Sequence, residues 1–224
     1  MTNLAHYQTI IFDCDGVILN SNFRKIEAYR NAALEFGASK ADAEALVHHH
    51  IELTGISRNI KFEYFLTNIL HQDVTDISMN NLINNLNNNV IKLLKSCEVA
   101  EGLDLLKIKT PKKKWIVASG GDQEELRYLF ADKKIDKYFS DGIFGSPRSK
   151  HEIIEQELKD NSWYPALFLG DSIYDIQTAK KYGIDFLFIS DWTDLTGWKK
   201  ICKEHGVSHI KNIKAVSYTH LRAH

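Results

Sequence analysis

The sequence predicts an α/β fold, a doubly wound parallel sheet into which an all-helical lobe is inserted. Short runs that are apolar at nearly every position recur along the chain, with helical stretches between them. Such runs are typical of parallel strands covered by helices on both faces of the sheet. One long segment, residues 22–95, has helical spacing throughout and no convincing strand. It predicts a lobe inserted between the first and second strands.

Six apolar runs are predicted to form the strands. In chain order they are YQTIIF from Tyr7, KWIVAS from Lys114, YFSDGIFG from Tyr138, PALFLGD from Pro165, IDFLFIS from Ile184 and VSHI from Val207. The stretches DQEELRYLFADKK, KHEIIEQELKD and SIYDIQTAKKYG, which lie between these runs, have helical spacing. Because helices separate the strands, we expect the strands to run parallel and to end at one common edge.

The inserted lobe contains four helical patterns, NFRKIEAYRNAALEFG, KADAEALVHHH, SRNIKFEYFLTNILHQ and MNNLINNLNNNVIKLLK. The asparagine-rich part of the last one keeps its apolar residues at helical spacing, which predicts an amphipathic helix. We therefore expect residues 1–20 and 96–214 to form the α/β core and residues 21–95 to form the lobe. Residues 215–224, AVSYTHLRAH, fit neither pattern. They resemble a translated sequencing adaptor and are interpreted as a non-native tail.

The composition argues against several classes of partner. The formal net charge is -1, whereas a nucleic-acid-binding domain is usually clearly basic. No apolar stretch approaches the roughly 20 residues of a membrane span, and the N-terminus lacks the features of a signal peptide. The 3 cysteines have no paired spacing, which argues against a disulfide framework. We expect a cytoplasmic protein that binds neither nucleic acid nor a membrane, and the oligomeric state stays open.

Two aspartates follow the first predicted strand, in DCDGV. Residues two apart in an extended chain point the same way, so Asp13 and Asp15 are expected to face one cavity at the carboxyl edge of the sheet. Gly16 then permits a tight turn. Two clustered carboxylates repel each other and need a cation or a shared proton. A small, hard cation that prefers oxygen ligands is Mg²⁺.

Three other strand ends carry residues suited to the same chemistry. In LFLGDSIYD, Asp171 ends a strand and Asp175 follows within one helical turn, so the segment offers further carboxylates for Mg²⁺. In VASGGD, Ser119 and backbone N–H groups at a helix start form a nest for an anion. In GSPRSK, Lys150 stands at a helix start, where it can neutralise a carboxylate and a phosphoryl group.

Each of these motifs alone has a purely structural interpretation. The DxDG stretch could be a surface turn, GDSxxD could be a helix cap, and a lysine early in a helix is usually solvated. Their joint occurrence at successive strand ends of one alternating domain favours a single functional site.

With these four motifs the chain resembles the haloacid dehalogenase-like (HAD) superfamily. The matching segments are DCDGV, VASGG, Lys150 of GSPRSK, and GDSIYD. The resemblance covers nearly the whole chain except the tail. It implies a Rossmann-like core, and it identifies the helical lobe as an α-helical cap of the subtype found in phosphoglycolate phosphatase and β-phosphoglucomutase.

The resemblance also implies a role for each matched residue. It makes Asp13 a nucleophile that forms an aspartyl-phosphate, and Asp15 the general acid and then the general base. Ser119 and Gly120 are implied to hold the phosphoryl group. Mg²⁺ is implied as cofactor. Further implied roles are that Lys150 orients Asp13 and phosphate, that Mg²⁺ is ligated by Asp13, Asp171 and the main-chain carbonyl of Asp15, and that Asp175 supports these groups from behind.

These implications predict a phosphatase that acts on a small phosphorylated metabolite. Two alternatives remain open, a phosphomutase of the β-phosphoglucomutase type and a non-catalytic module that binds a phosphate ligand. The dehalogenase branch of the superfamily resembles this chain less, because that branch lacks the second aspartate.

Two features of the lobe have competing interpretations. The segment around Arg58 resembles the cap loop that faces the active site in these relatives, where an arginine can bind a substrate anion. It could equally be a surface arginine near a helix start. The triplet His48-His49-His50 is expected to be a solvated helix end, because consecutive helix residues point in different directions and cannot share one metal ion.

Overall fold

The computed structural model describes residues 3–53 and 56–218. All six predicted strands are present, and every neighbouring pair in the sheet is parallel. The strands are β1 (Thr9–Phe12), β2 (Lys114–Asp122), β3 (Ile143–Ser146), β4 (Ala166–Gly170), β5 (Asp185–Ile189) and β6 (Ser208–Ile210). Their order in the sheet is β3-β2-β1-β4-β5-β6. The predicted doubly wound α/β fold is therefore confirmed, and its strand order reverses beside β1.

The third strand is shorter than its apolar run predicts. The run begins at Tyr138, but residues Asp136–Tyr138 form a short 3₁₀ turn and the strand begins only at Ile143. Phe139, in the middle of the run, packs its ring against Phe12 and Trp115 in the core. The run is apolar because its residues enter the core from a turn, and so the predicted strand start is wrong.

Ten α-helices complete the described chain. They are α1 (Asn22–Phe36), α2 (Lys40–Glu52), α3 (Arg58–Tyr64), α4 (Asp76–Leu94), α5 (Leu103–Lys109), α6 (Gln123–Asp132), α7 (Lys150–Glu157), α8 (Ile173–Lys181), α9 (Trp198–His205) and α10 (Ile213–Tyr218). A short π-helix, Phe65–Ile69, continues α3. Within the described ranges, no helix is both long enough and apolar enough to cross a membrane.

Helices α1 to α4 form the lobe, and no strand lies among its described residues. The asparagine-rich helix α4 is amphipathic, because it buries Leu82, Leu86, Val90 and Leu94 on one face. Its other residues are mostly polar and stand at the surface. The prediction of an ordered helix over this low-complexity stretch is confirmed.

Two adjacent segments of the chain connect the lobe to the core. The Asn20 N–H donates to the Glu98 carbonyl at 3.0 Å, and Leu19 forms an isolated antiparallel bridge with Val99. The outgoing and returning segments therefore run side by side. They place the lobe over the carboxyl end of β1.

The segment interpreted as a tail begins within α10. Residues 215–218 continue this helix, and Val216 is fully buried. The Lys109 ammonium of α5 donates to the Ser217 carbonyl at 2.6 Å. Residues 219–224 lie outside the described part of the chain. The non-native origin of this segment stays a prediction.

Candidate active site

Two buried aspartates meet where β1 and β4 end side by side. Asp13 follows β1 directly and Asp171 follows β4 directly. The Asp13 N–H donates to the Leu169 carbonyl of β4 at 2.9 Å, which fixes the register of the two strand ends. Carboxylate oxygens of Asp13, Asp171 and Asp175 lie within 4.8 Å of one another. The structure thus brings three of the predicted site residues together at the point where the strand order reverses.

A fully buried lysine links two of these carboxylates. The Lys150 Nζ lies 3.0 Å from Asp13 Oδ1 and 2.6 Å from Asp175 Oδ1. Burial opposes the charge on Lys150, but the two carboxylates outweigh it and raise its pKa. Lys150 is the first residue of α7, as predicted, and Ser149 caps that helix. The lysine is therefore a fixed positive charge beside Asp13.

Asp175 is held from behind by its own helix. The Ser172 hydroxyl donates to Asp175 Oδ2 at 2.6 Å, and the Asp175 N–H donates back to the hydroxyl oxygen at 3.2 Å. This reciprocal capping box begins α8. Asp175 is thereby fixed so that its other oxygen faces Lys150. The supporting role that the resemblance implies for Asp175 stays a prediction.

The remaining oxygens of the cluster suit a cation. Asp171 Oδ2 accepts a hydrogen bond from the Asn22 side chain at 3.0 Å, whereas Asp171 Oδ1 is buried and has no partner among the described residues. Burial and the charge of Asp13 raise the pKa of Asp171. Burial likewise raises the pKa of Asp13, although Lys150 opposes the shift. Carboxylate oxygens are ligands that Mg²⁺ prefers, and Asp171 Oδ1 is free to bind one, so the residues present fit this ion.

The second aspartate of the DCDGV motif has different partners. Asp15 is not one of the three converging carboxylates. The Ser21 hydroxyl donates to Asp15 Oδ1 at 2.6 Å, and Lys25 Nζ lies 2.5 Å from Asp15 Oδ2. Burial alone would raise the pKa of Asp15, but Lys25 and Ser21 hold it below its usual value. Asp15 is therefore an ionised group that lines the same cavity as Asp13.

Lys25 was not predicted from the sequence, although a signal for it exists. Asn22, Lys25 and Tyr29 stand at positions i, i+3 and i+7 of α1, and all three are buried. Polar residues on the face of a helix that also carries its buried alanines indicate a face that packs against a polar site.

The turn after Asp15 depends on glycine. Gly16 has φ +73°, and a Cβ on it would lie 2.0 Å from Asp171 Oδ2. Gly183, after α8, has a similar φ of +62° but no atom within 4 Å of its Cβ position. It is a matched control for the backbone strain alone.

We expect Gly16→Ala to destabilise the protein by several kcal/mol and to impair its site. Gly183→Ala should cost only the left-handed strain, about 1–2 kcal/mol. Urea unfolding of both variants measures the difference. Equal losses in the two variants would contradict the close approach of Gly16 to Asp171.

The predicted anion nest lies next to these groups. Strand β2 continues through Ser119 and Gly120 to Asp122, which caps α6. The buried Ser119 hydroxyl oxygen accepts a hydrogen bond from the Gly121 N–H at 3.1 Å. Gly120 and Gly121 line the same cavity as Asp13. The carboxyl end of β2 therefore lies at the site, as predicted. Its role in holding phosphate stays a prediction.

The lobe supplies the opposite wall of this cavity. Its lining residues on that side include Tyr29, His50, Arg58 and Lys61. The cavity measures about 30 Å³, which is room for about two water molecules. In the described conformation this cavity is therefore too small for an organic phosphate. A second cavity of about 280 Å³ shares Gly120 with it and is also lined by Lys150, so the lobe leaves space beside the site.

Arg58 is a buried residue that connects the lobe to the core. Its Nη2 donates to Glu125 Oε2 of α6 at 3.1 Å, and its Nη1 donates to the side-chain oxygen of Asn87. Burial opposes the charge, but Glu125 outweighs it and raises the pKa of Arg58. The interpretation of Arg58 as a surface residue is wrong, because its side chain is buried between the lobe and helix α6 of the core. Contact with a substrate stays a prediction.

The histidine triplet is only partly solvated. His48 is exposed, but His50 is buried, and its Nδ1 lies 2.9 Å from Lys61 Nζ. The expectation of a solvated helix end is wrong for His50, because α2 turns this residue inward toward α1 and α3. Lys61 was not predicted from the sequence. Its signal is the buried face formed by Arg58, Lys61 and Phe62 at i, i+3 and i+4.

Solved structures share this fold at low sequence identity, and no curated protein matches the chain significantly. A hydrolase from Pseudomonas syringae has a TM-score of 0.73 and 15% identity over 96% of this chain and 97% of its own. A Lactobacillus delbrueckii protein, assigned by inference as a phosphoglycolate phosphatase, has a TM-score of 0.70 and 18% identity over 96% of this chain and 98% of its own. A Bacteroides vulgatus protein, assigned by inference as a beta-phosphoglucomutase, has a TM-score of 0.73 and 14% identity over 95% of this chain and 87% of its own.

A family model adds the assignment that similarity of fold cannot give. The model for haloacid dehalogenase-like hydrolases matches residues 10–189. This range contains all four predicted motifs, from Asp13 to Asp175, together with the whole lobe. The chain therefore belongs to the haloacid dehalogenase-like hydrolases.

Proposed function

We propose that this hydrolase is a Mg²⁺-dependent phosphatase that cleaves a small phosphate monoester through an aspartyl-phosphate on Asp13. The convergence of Asp13, Asp171 and Lys150 carries the proposal. A buried carboxylate lies 3.0 Å from a fully buried ammonium and shares a 4.8 Å cluster with a second carboxylate that has an unpartnered oxygen. A nucleophile with a fixed cation and an oxygen-rich metal site beside it is suited to phosphoryl transfer.

In the first step, the Asp13 carboxylate attacks phosphorus, and the bond from phosphorus to the ester oxygen breaks. Lys150 offsets the repulsion between the incoming carboxylate and the phosphate dianion. The N–H groups around Gly120 and the Ser119 hydroxyl can donate to the transferred oxygens. Asp13 and Asp171, with the main-chain carbonyl of Asp15, would hold Mg²⁺, which when bound stabilises negative charge on the phosphoryl group.

Asp15 is the general acid and then the general base in this proposal. The first step needs a proton on the leaving oxygen, and the second step needs a base that takes a proton from the attacking water. In the described conformation Lys25 holds Asp15 ionised, which suits the second step. For the first step Asp15 itself has to carry a proton, because Lys25 keeps its own: burial opposes the charge on Lys25, but the Asp15 carboxylate outweighs it and raises the pKa of the ammonium.

The test is a screen of small phosphate esters for release of inorganic phosphate, with Mg²⁺ and with EDTA. We expect release that requires Mg²⁺ for at least one ester. Binding of esters without turnover, measured by calorimetry across the same panel, would contradict an enzyme and support the non-catalytic module instead.

Metal dependence also makes a prediction about Asp171. Asp171→Asn is expected to weaken Mg²⁺ binding by at least about 10-fold, as measured by calorimetry. In EDTA the same variant should be at least as stable as the starting protein, because a buried carboxylate without a cation has been removed. Asp104→Asn, at an exposed residue of α5, is the control. Unchanged Mg²⁺ affinity of Asp171→Asn would exclude Asp171 as a ligand.

A phosphomutase is the second candidate function. It is favoured by the burial of Asp13, whose side chain is 3% exposed, because a nucleophile that bulk water reaches poorly can keep its phosphoryl group until it is returned to the product. A similar fold is found in a protein assigned as a beta-phosphoglucomutase. A mutase would release little inorganic phosphate and would need a bisphosphate activator. Assays of the sugar phosphates in the panel with and without a bisphosphate separate the two candidates.

A further inference from the structure

The three clustered carboxylates differ in which of their oxygens are already occupied. Asp175 has both oxygens occupied, Oδ1 by Lys150 and Oδ2 by the hydroxyl that caps its own helix. Asp13 Oδ1 accepts a hydrogen bond from the Cys14 N–H at 2.7 Å and also lies 3.0 Å from Lys150 Nζ. A cation between Asp13 and Asp171 therefore depends on Asp13 Oδ2 and on the oxygens that Asp171 can offer.

One oxygen of Asp171 is closed off by an asparagine of the lobe. Asn22, the first residue of α1, is 3% exposed and donates from Nδ2 to Asp171 Oδ2 at 3.0 Å. Gly16 packs against the same oxygen so closely that a Cβ would not fit. Asp171 Oδ1 is buried and has no partner among the described residues. The residues present therefore offer a cation one oxygen of Asp171, and Asn22 determines which one.

The amide of Asn22 can present only its nitrogen to these groups. The same Nδ2 also donates to the Trp192 carbonyl at 3.0 Å. Both neighbours are acceptors, so they match the two N–H donors of an amide nitrogen and would repel an amide oxygen. The Thr193 hydroxyl donates to the Asp171 carbonyl at 2.8 Å. Asp171 is thus held by its side chain through Asn22 and by its main chain through the segment after β5.

A carboxylate that offers one oxygen favours a small cation. Mg²⁺ is bound through one or two carboxylates and keeps several waters in a near-ideal octahedral arrangement. Ca²⁺ takes about 6–8 oxygens and often binds both oxygens of one carboxylate. Two aspartates that each offer a single oxygen fit the first pattern and supply too few ligands for the second.

We propose that Asn22 is a positioning residue that biases the site toward Mg²⁺ and against Ca²⁺, because it keeps Asp171 a ligand through one oxygen. The inference rests on the proposed function, since it takes the cation to lie between Asp13 and Asp171. It goes beyond the four motifs, none of which contains Asn22. It also gives a residue of the lobe a role at a metal site of the core.

The test is calorimetric titration of Mg²⁺ and of Ca²⁺ into the protein without substrate. The quantity compared is the ratio of the two affinities, because partial misfolding lowers both affinities alike and does not change the ratio. Asn22→Ala frees Asp171 Oδ2 and should shift the ratio by at least about 10-fold toward Ca²⁺. Asn31→Ala is the control, because it removes an amide from the same helix where the side chain contacts Asn89. It should leave the ratio unchanged.

Asn22→Asp provides a second measurement if Asn22→Ala does not fold. It replaces the donor with a further carboxylate beside Asp171, which adds an oxygen ligand and should also shift the ratio toward Ca²⁺. Circular dichroism and urea unfolding verify that each variant is folded. A ratio that stays unchanged in a folded Asn22 variant, or that shifts toward Mg²⁺, would overturn the inference. The proposed function fails in a different way, namely if the starting protein binds both ions and the variants shift the ratio, yet no ester releases phosphate.

Discussion

Replacing Asp13 with asparagine is expected to reduce phosphate release by at least about 10⁴-fold while the protein stays folded. An amide nitrogen and oxygen keep the size of the side chain but cannot form the mixed anhydride with phosphorus. The substitution also removes one charge from a buried cluster of three carboxylates. The unfolding midpoint should therefore not fall by much, because the loss of the contact with Lys150 is offset by reduced repulsion.

The measurement is release of inorganic phosphate from the best ester of the screen, together with urea unfolding. Asp104→Asn is again the control, since it makes the same chemical change at an exposed position of α5. Incubation with substrate followed by acid quench and mass spectrometry should detect phosphate on the starting protein and none on Asp13→Asn. Retention of more than a trace of activity in the variant would reject Asp13 as the nucleophile.

Replacing Lys150 with methionine is expected to affect both activity and stability. The variant leaves Asp13 and Asp175 buried without their shared cation, which should cost about 3–5 kcal/mol of unfolding free energy. Loss of the charge that faces the phosphoryl group should lower kcat by about 10²–10³-fold. Lys181→Met is the control, because it breaks a surface ion pair with Glu155 that is about half exposed and should cost less than about 1 kcal/mol.

A double variant separates the two effects of Lys150. Adding Asp175→Asn to Lys150→Met removes one of the stranded carboxylates, so part of the lost stability should return. Activity should not return, because the charge beside Asp13 is still missing. Recovery of kcat together with stability would mean that Lys150 acts only as a structural neutraliser of Asp175.

The functional edge of the core could be predicted from the sequence because parallel strands end at a common edge. Asp13, Ser119, Lys150 and Asp171 each follow an apolar run, so their strand ends alone predict that they lie near one another. The helix starts at Gln123, Lys150 and Ile173 could be predicted in the same way, from residues that cap them locally. These are local rules, and they hold without knowledge of the rest of the fold.

The partners contributed by the lobe follow no such rule. In the sequence, nothing distinguishes Lys25 and Lys61 from ordinary surface lysines of a helix. His50 stands in a histidine triplet whose local pattern predicts a solvated helix end. Whether a residue on a helix is solvated or faces the active site depends on the angle at which the whole lobe packs on the core. That angle is set by many contacts between residues far apart in the sequence.

By itself, the sequence determined the order of strands and helices, the helical lobe and the set of core residues that meet at the carboxyl edge of the sheet. Only the tertiary structure decided that Lys25 holds Asp15, that Arg58 joins the lobe to Glu125, and that Lys61 lies buried against His50 in the wall of the same cavity. The physical reason is the separation in sequence of the residues that interact. Strand ends and helix caps are fixed by neighbours in the chain, whereas a buried charge is matched or left unmatched by whatever distant surface packs against it.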